Sequence, residues 1–538
     1  MSSKRQRFLL ALVLAAGVAW LGTGPFAPWV AAQETPQPGG ELVYSMLAEP
    51  PSFDAHQEAT FAVPHSTAPF YSLLVRFDPF EYPKIVPDLA ESWTISPDGK
   101  LYEFKLRGGV KFHDGSALTS RDVKASLDHV IFPPAGVTSP RKAVYRQVAS
   151  VDAPNPATVR ITLKQASPAM LTFLASPWNY IYKAEMLEKD PHWYKKNVMG
   201  TGPFKLGEYV PGSHVVGRKN PDYFLKGLPY LDGFRALFII DGAARVAALR
   251  SGRVAVDFVG ATPTMDQASL RQAIGDKLVI QKSNWTCVLT IAFNHEKKPF
   301  DDPRVRRALS LAIDRREGAR VLSEFTEYGT VAGISQPGAP YAMPPAELEK
   351  IPGYWPDIEK SRTEAKRLLK EAGVPDGFSF AFTNRVITGA QRVGVYVIDQ
   401  WRKIGLNATH RVLETGPYFT ALRSGDYDAS IDFSCDFADE PDLQLTKYLS
   451  SDKTPINYAK YSDPTLDELF ERQSREQNLD RRKQLVWEFE RRLLGEMAHQ
   501  VIILGQVRAV AHWTHVKGWK VTPSHYLNQD LGTVWLAR

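Results

Sequence analysis

His113 and Asp114 stand side by side in residues 109–127, "GVKFHDGSALTSRDVKASL", with Ser116 and Thr119 close behind. An imidazole, a carboxylate and a hydroxyl are the parts of a nucleophile–base set. Nothing near the pair supplies a nucleophile at a specific spacing, and the chain contains no Gly-x-Ser-x-Gly elbow. The 12 His residues form no recognised zinc pattern. A strand would turn His512 and His515 to opposite faces. Gly200 and Gly202 in "GTGPF" lead into no helical pattern, so they do not read as a phosphate loop. The stretch reads as architecture and not as an active site.

The elements around the pair account for its polar residues. Ser96-Pro97-Asp98-Gly99 follows a short strand and reads as a hairpin turn, because Gly tolerates positive φ. The returning strand, 101–106, alternates Leu101, Glu103 and Lys105 with Tyr102, Phe104 and Leu106. Residues 110–112 are expected as a second short strand and His113-Asp114-Gly115 as its turn. Thr119 and Asp122 have the spacing of a capping box. Val123, Leu127 and Val130 then give the following helix one buried face. Farther on, Asp302-Pro303 starts a helix with Pro at its first position. Ser361 and Glu364 are expected to cap a helix carrying Ala365, Leu368 and Leu369. Gly373 ends it, and 378–382 returns as a strand. Residues 395–404 and 408–413 repeat that helix, glycine, strand order, the rhythm of an α/β layer fold. Residues 248–252, "ALRSG", recur at 421–425, and each copy leads into a strand. Such an echo fits two lobes of related design, with Val259-Gly260 and Cys435-Asp436 at strand ends facing one crevice.

Composition narrows the function class. The chain has 538 residues, a net charge of +6 and two cysteines. Residues 1–32 read as an export signal: Lys4, Arg5 and Arg7, an apolar run, then Val30-Ala31-Ala32 before a cut at Gln33. No Cys lies near the cut, so a soluble exported protein without a lipid anchor is expected. The remaining length is too great for one core and implies two or three domains. Its mild charge points away from nucleic acid.

The stretch "LAESWTISPDGKLYEFKLRGGVKFHDGSALTSRDVKASL" resembles the signature region of the family 5 extracellular solute-binding proteins, the oligopeptide- and dipeptide-binding group. "GTGPFKLGEY", "NPDYFLKGLPYLDGF", "FNHEKKPFDDPRVRRALSLAIDR" and "LLKEAGVPDGF" are similar to the family in the same order. The resemblance implies an α/β bilobal periplasmic-binding-protein fold (type II, cluster C) with an inserted extra domain. Lobe I would comprise 34–60, 197–284 and 509–538, the extra domain 61–196, and lobe II 285–508. The implied function is the periplasmic receptor of an ABC importer, a monomer without cofactor or metal. It would capture a peptide or peptide-like solute and deliver it to the permease and ATPase complex at the inner membrane. A sugar, opine or metal chelate is the alternative solute. An exported hydrolase on the same scaffold is the alternative class.

By the same resemblance, three segments would meet ligand. The first contributes Glu49, Pro51 and Phe53, the second Trp285, Phe293 and Asn294, and the third Phe433, Asp436 and Asp439. Family members that bind peptides hold the ligand amine with an acid a few positions before a Pro. Asp436 and Asp439 precede Pro441 but miss the usual offset, and Asp436 reads equally as a turn cap. Arg385 follows a strand and is either an anion partner or a solvated side chain. Relatives carry a disulfide in this region, which implies a Cys287–Cys435 bond.

Overall fold

Residues 34–260, 262–527 and 529–538 are described in the computed structural model; the export-signal reading falls outside them. Residues 36–538 form one unit. Among the described residues no helix is long and apolar enough to cross a membrane.

Local sequence rules operate as expected around the opening stretch. Strands Ala90–Ile95 and Leu101–Leu106 pair antiparallel, with Trp93 opposite Phe104, and Gly99 at the turn has φ 68°. Tyr102, Phe104 and Leu106 face the core. The helix Ser120–Ile131 begins with the reciprocal Thr119 and Asp122 capping box. Residues 110–112 differ from the expected strand. They make a tight loop in which the N–H of Phe112 donates to Ser116 and that of Leu118 donates to Val110, with a single bridge between Lys111 and Ala117. His113 is architectural. Its N–H donates to the Gly200 carbonyl at 2.9 Å, and its Nε2 lies 3.2 Å from the Gly202 carbonyl. Burial pushes its imidazole down to about 4. Gly200 and Gly202 run against the backbone at Phe70 and Tyr71, where a Cβ on either would come within 2.1 and 2.4 Å of it.

The four-stranded sheet containing this hairpin has the order Ala90–Ile95, Leu101–Leu106, Thr158–Leu163, Val148–Asn155. The rest of the molecule is organised by an 11-stranded sheet. Its two central strands, Leu278–Phe293 and Gln500–Trp513, are antiparallel and far longer than their neighbours. Toward one edge lie Val256–Asp257, Glu41–Met46, Gly233–Phe238, His214–Lys219 and Phe204–Val210. Toward the other lie Ala429–Cys435, Ser379–Arg385 and Asn407–Leu413, and the short strand Tyr328–Thr330 pairs with Gln500–Trp513 outside this order. Pairing of the central strands runs from Leu278↔Trp513 to Asn284↔Val507, breaks, and resumes at Val288↔Gly505. The break is held by Gln336, whose Nε2 donates to the carbonyls of Cys287 at 2.9 Å and Gln506 at 3.1 Å. A sheet divided at such an irregularity can bend there, since ladder bonds are missing where the bend must occur.

Helices pack on both halves. Pro303–Leu311 starts at Asp302, whose carboxylate accepts the N–H of Arg304. The helix expected to start at Ser361 begins earlier, at Ile358, because Asp357 accepts the N–H of Lys360 and takes the N-cap. Ser361 lies within the helix and bonds back to Asp357 O at 2.9 Å. The helix expected over 395–404 likewise begins earlier, as Thr388–Arg402. The echoed "ALRSG" segments both end helices, Gly242–Arg250 and Thr415–Ser424. Gly252 and Gly425 take positive φ, 74° and 78°, which L side chains disfavour.

Candidate ligand-binding cleft

The strand Ala429–Cys435 pairs with the central strand so that Cys435 lies directly opposite Cys287. The two are joined by a disulfide with Cα atoms 4.2 Å apart. The chain then leaves the sheet at Asp436. Thr286 secures this residue twice. Its carbonyl accepts the Asp436 N–H at 3.2 Å, and its hydroxyl donates to the Asp436 carbonyl at 2.7 Å. The Asp436 carboxylate accepts the Phe437 N–H at 2.8 Å. The residue keeps some surface. Burial pushes its carboxyl up to about 7, against the pull of the Phe437 N–H and the Arg141 guanidinium.

Asp436 opens onto a cavity of about 240 Å³ that also meets Arg385, Phe419, Phe433, Lys447 and Tyr458. The Arg385 guanidinium lies 4.8 Å from the Phe433 ring centre, 5.4 Å from Phe419 and 5.9 Å from Tyr418. Its Nε is buried without a hydrogen-bond partner. Lys447 is committed elsewhere. Its ammonium pairs with Asp432 at 2.7 Å and donates to the Phe433 carbonyl. The cavity thus offers one cation and one acid not paired to each other, with an aromatic wall at Phe433. Such a site suits a small solute carrying both an ammonium and an anionic group.

Three of the residues singled out in the sequence, Arg385, Phe433 and Asp436, meet in this cavity. Trp285 and Asp439 line a different cleft of about 450 Å³, together with Tyr82, Lys282, Gln336 and Lys520. Asp439 accepts from the Tyr82 hydroxyl and from Gln444 Nε2, each at 3.2 Å. Burial raises its carboxyl to about 6. Trp285 stands edge-on to His525, ring centres 5.0 Å apart, with its indole N–H buried and unpartnered.

The other five residues expected at ligand are occupied by the protein or lie away from both cavities. Glu49 accepts from the Gly212 N–H at 3.0 Å and from the Tyr209 hydroxyl. Phe53 packs edge-on against Tyr209 at 4.9 Å, and Pro51 is exposed. Phe293 is fully buried and stacks on Phe300 at 5.9 Å. Asn294 donates to the carbonyls of Gly425 at 2.9 Å and Tyr427 at 3.1 Å. Sequence reasoning missed Phe419, Lys447, Tyr458 and Tyr82. Phe419 sits on the helix after Asn407–Leu413, a place that strand-end logic marks as ligand-facing. Nothing in the sequence marks Lys447.

Residues 84–455 match the model of the bacterial extracellular solute-binding proteins, family 5. The glutathione-binding protein GsiB of Salmonella choleraesuis is 34% identical over 372 residues, covering 68% of this chain and 67% of that protein. Among solved structures, DppA of Helicobacter pylori in complex with the peptide STSA has a TM-score of 0.77 at 24% identity. It covers 93% of this chain and 99% of its own. AgaA of A. tumefaciens R10 in complex with agropinic acid has a TM-score of 0.77 at 25% identity, again over 93% and 99%. The fold is the bilobal α/β arrangement of the periplasmic binding proteins, and the chain belongs to the bacterial extracellular solute-binding proteins of family 5.

Proposed function

We propose that the protein is the periplasmic receptor of an ABC importer and that its solute is a short peptide or peptide-like zwitterion. The observation that carries the reading is that Arg385 and Asp436, opposite charges in no ion pair with each other, line one cavity of about 240 Å³. The glutathione bound by GsiB and the peptide bound by DppA belong to this chemical class. The ligand ammonium takes Asp436 and its carboxylate takes Arg385. In this reading lobe I comprises 34–60, 197–284 and 509–538, and lobe II comprises 285–508. Residues 61–196 form the extra domain. The cavity is lined by lobe II alone, so closure about the break in the central strands traps the solute through the further contacts that the bound solute makes with the facing lobe, since a ligand touching both lobes binds the closed state better. The monomeric closed form is then read by permease subunits, and the protein itself performs no reaction.

An opine is the second reading, favoured by the likeness to AgaA with agropinic acid. Native mass spectrometry of protein purified without refolding identifies a retained solute. Calorimetry then compares a free dipeptide, glutathione, an N-acetylated peptide and a C-amidated peptide. Loss of binding on either modification is the expected result. Equal affinity for all four removes the zwitterion assignment, and turnover of any of them makes the protein a hydrolase.

A further inference from the structure

His56 and His129 form a buried pair remote from the cleft residues in sequence and in role. His56 follows strand Glu41–Met46 and is fully buried. His129 lies in the last turn of helix Ser120–Ile131 and is also buried. Their Nδ1 atoms face each other at 3.2 Å. The other nitrogen of each ring meets a backbone carbonyl: His56 Nε2 lies 2.9 Å from Tyr180 O, and His129 Nε2 lies 3.0 Å from Pro191 O.

A carbonyl oxygen only accepts, so both Nε2 atoms must carry hydrogen. Two neutral rings then have bare Nδ1 atoms directed at each other, lone pair against lone pair. Giving one ring the other tautomer repairs that contact but leaves a bare Nε2 against a carbonyl. Three contacts need three ring protons, and two neutral imidazoles carry two. We propose that His56 and His129 together bind one additional proton, shared across the Nδ1–Nδ1 contact, and that this proton fastens helix Ser120–Ile131 to the segment after the first strand.

The surroundings supply the counter-charge. Asp54 is fully buried and accepts the His56 N–H at 2.9 Å and Gln57 Nε2 at 2.6 Å. Burial raises its carboxyl, and His129 pulls it back down. Burial also pushes both imidazoles toward neutrality. His129 and Arg141 add to this at His56, while Asp54 and the Pro191 carbonyl oppose it at His129. The Tyr182 ring packs on His56 with centres 4.1 Å apart, and His192 is engaged by Gln57 at 2.9 Å. The Asp54 carboxylate favours the shared proton at His129, and the Arg141 guanidinium, which also acts on Asp54, opposes it at His56. A metal ion is the other species that can sit between two Nδ1 atoms. Among the described residues no group of three or more ligating side chains is assembled, and structural sites for such ions need about four ligands.

The linkage has a definite sign. Unfolded histidines titrate near about 6.5. Below that pH the unfolded chain holds two protons at these positions and the folded pair holds one, so stability rises with pH. Above it the folded pair holds one and the unfolded chain none. The unfolding constant then rises about tenfold per pH unit until the pair releases its proton. Two neutral buried histidines would give a plateau on that alkaline side.

The test uses full-length protein labelled with ¹⁵N-histidine. Ring nitrogens are assigned through their own backbone resonances, so no substitution is required. At pH 7.5 the expected result is three protonated nitrogens and one bare nitrogen over His56 and His129. Chemical unfolding between pH 7.5 and 9 should show the tenfold slope in the native protein and a reduced slope in His129→Gln. Two bare nitrogens at pH 7.5, an unchanged slope in the variant, or a stoichiometric metal by elemental analysis would each overturn the proposal.

Discussion

Tyr82 and Asp439, far apart in sequence, exchange two hydrogen bonds. The Tyr82 hydroxyl donates to Asp439 Oδ2 at 3.2 Å and accepts the Asp439 backbone N–H at 2.9 Å. The contact joins the segment before the four-stranded sheet to the loop that carries Asp436. Nearby, Trp178 stands edge-on to Phe437 at 6.3 Å. A second link lies elsewhere: Thr264 Oγ1 donates to Ser323 O at 2.8 Å and the Met265 N–H to Glu324 O at 3.1 Å.

Tyr82→Phe should therefore favour the open arrangement. The substitution leaves a buried N–H without its acceptor, which costs about 1–3 kcal/mol. Affinity for a retained solute should fall roughly tenfold, the equivalent of about 1.4 kcal/mol. Small-angle scattering of the solute-loaded variant should show a larger radius than native protein at equal saturation. Unchanged affinity and radius would mean the contact follows closure without stabilising it.

The local parts of this architecture were legible and the long-range parts were not. Thr119 and Asp122, or Asp302 and Pro303, act within one helical turn, so their types and spacing suffice. Ser361 shows the limit of the same rule: Asp357 stands four residues earlier, competes for the cap and wins. Alternation placed Tyr102, Phe104 and Leu106 in the core. It could not separate Phe293, which is core, from Phe433, which lines the cavity, because both lie on strands whose faces are set by partners distant in sequence. The meeting of Arg385 and Asp436 on one cavity and the commitment of Lys447 to Asp432 depend on strand order. Composition and period carry no information about that order.

Binding of an amine-bearing solute should depend on pH through Asp436. Burial holds this carboxyl at about 7, and only the ionised form pairs with an ammonium. Affinity should rise about tenfold per unit as pH increases toward 7 and fall again above about 8, where a peptide α-amine loses its own proton. Asp436→Asn should flatten the profile and weaken binding by about 2–5 kcal/mol at pH 8. Calorimetry from pH 5.5 to 8.5 with one dipeptide checks both. A native profile as flat as the variant's would assign Asp436 to the turn alone.

Gly505 should not tolerate a side chain. A Cβ there would lie 2.3 Å from Gln336 Oε1 and 2.4 Å from its Nε2, the atom bridging Cys287 and Gln506 across the break in the central strands. Gly505→Ala should cost about 1–3 kcal/mol, the usual range for overpacking. Gln336→Ala removes the obstacle along with the bridge. The double variant should thus lose less than the two single losses added together. Strict additivity in denaturant unfolding would separate the glycine from the glutamine.

Removing the disulfide should affect stability more than binding. Cys287 and Cys435 close a loop of 148 positions, for which the chain-entropy relation gives about 5 kcal/mol. Residual order in the unfolded chain lowers that figure, so Cys287→Ala with Cys435→Ala should lose roughly 2–5 kcal/mol. Asp436 nevertheless keeps both of its bonds to Thr286, at 3.2 and 2.7 Å. The paired register around Val288↔Ser434 also persists without the sulfur atoms. Solute affinity should therefore shift less than tenfold while the unfolding midpoint falls clearly. Denaturant titration and calorimetry on the same double variant read the two effects separately. An affinity loss as large as that of Asp436→Asn would show that the disulfide, and not Thr286, holds the carboxylate in the cleft.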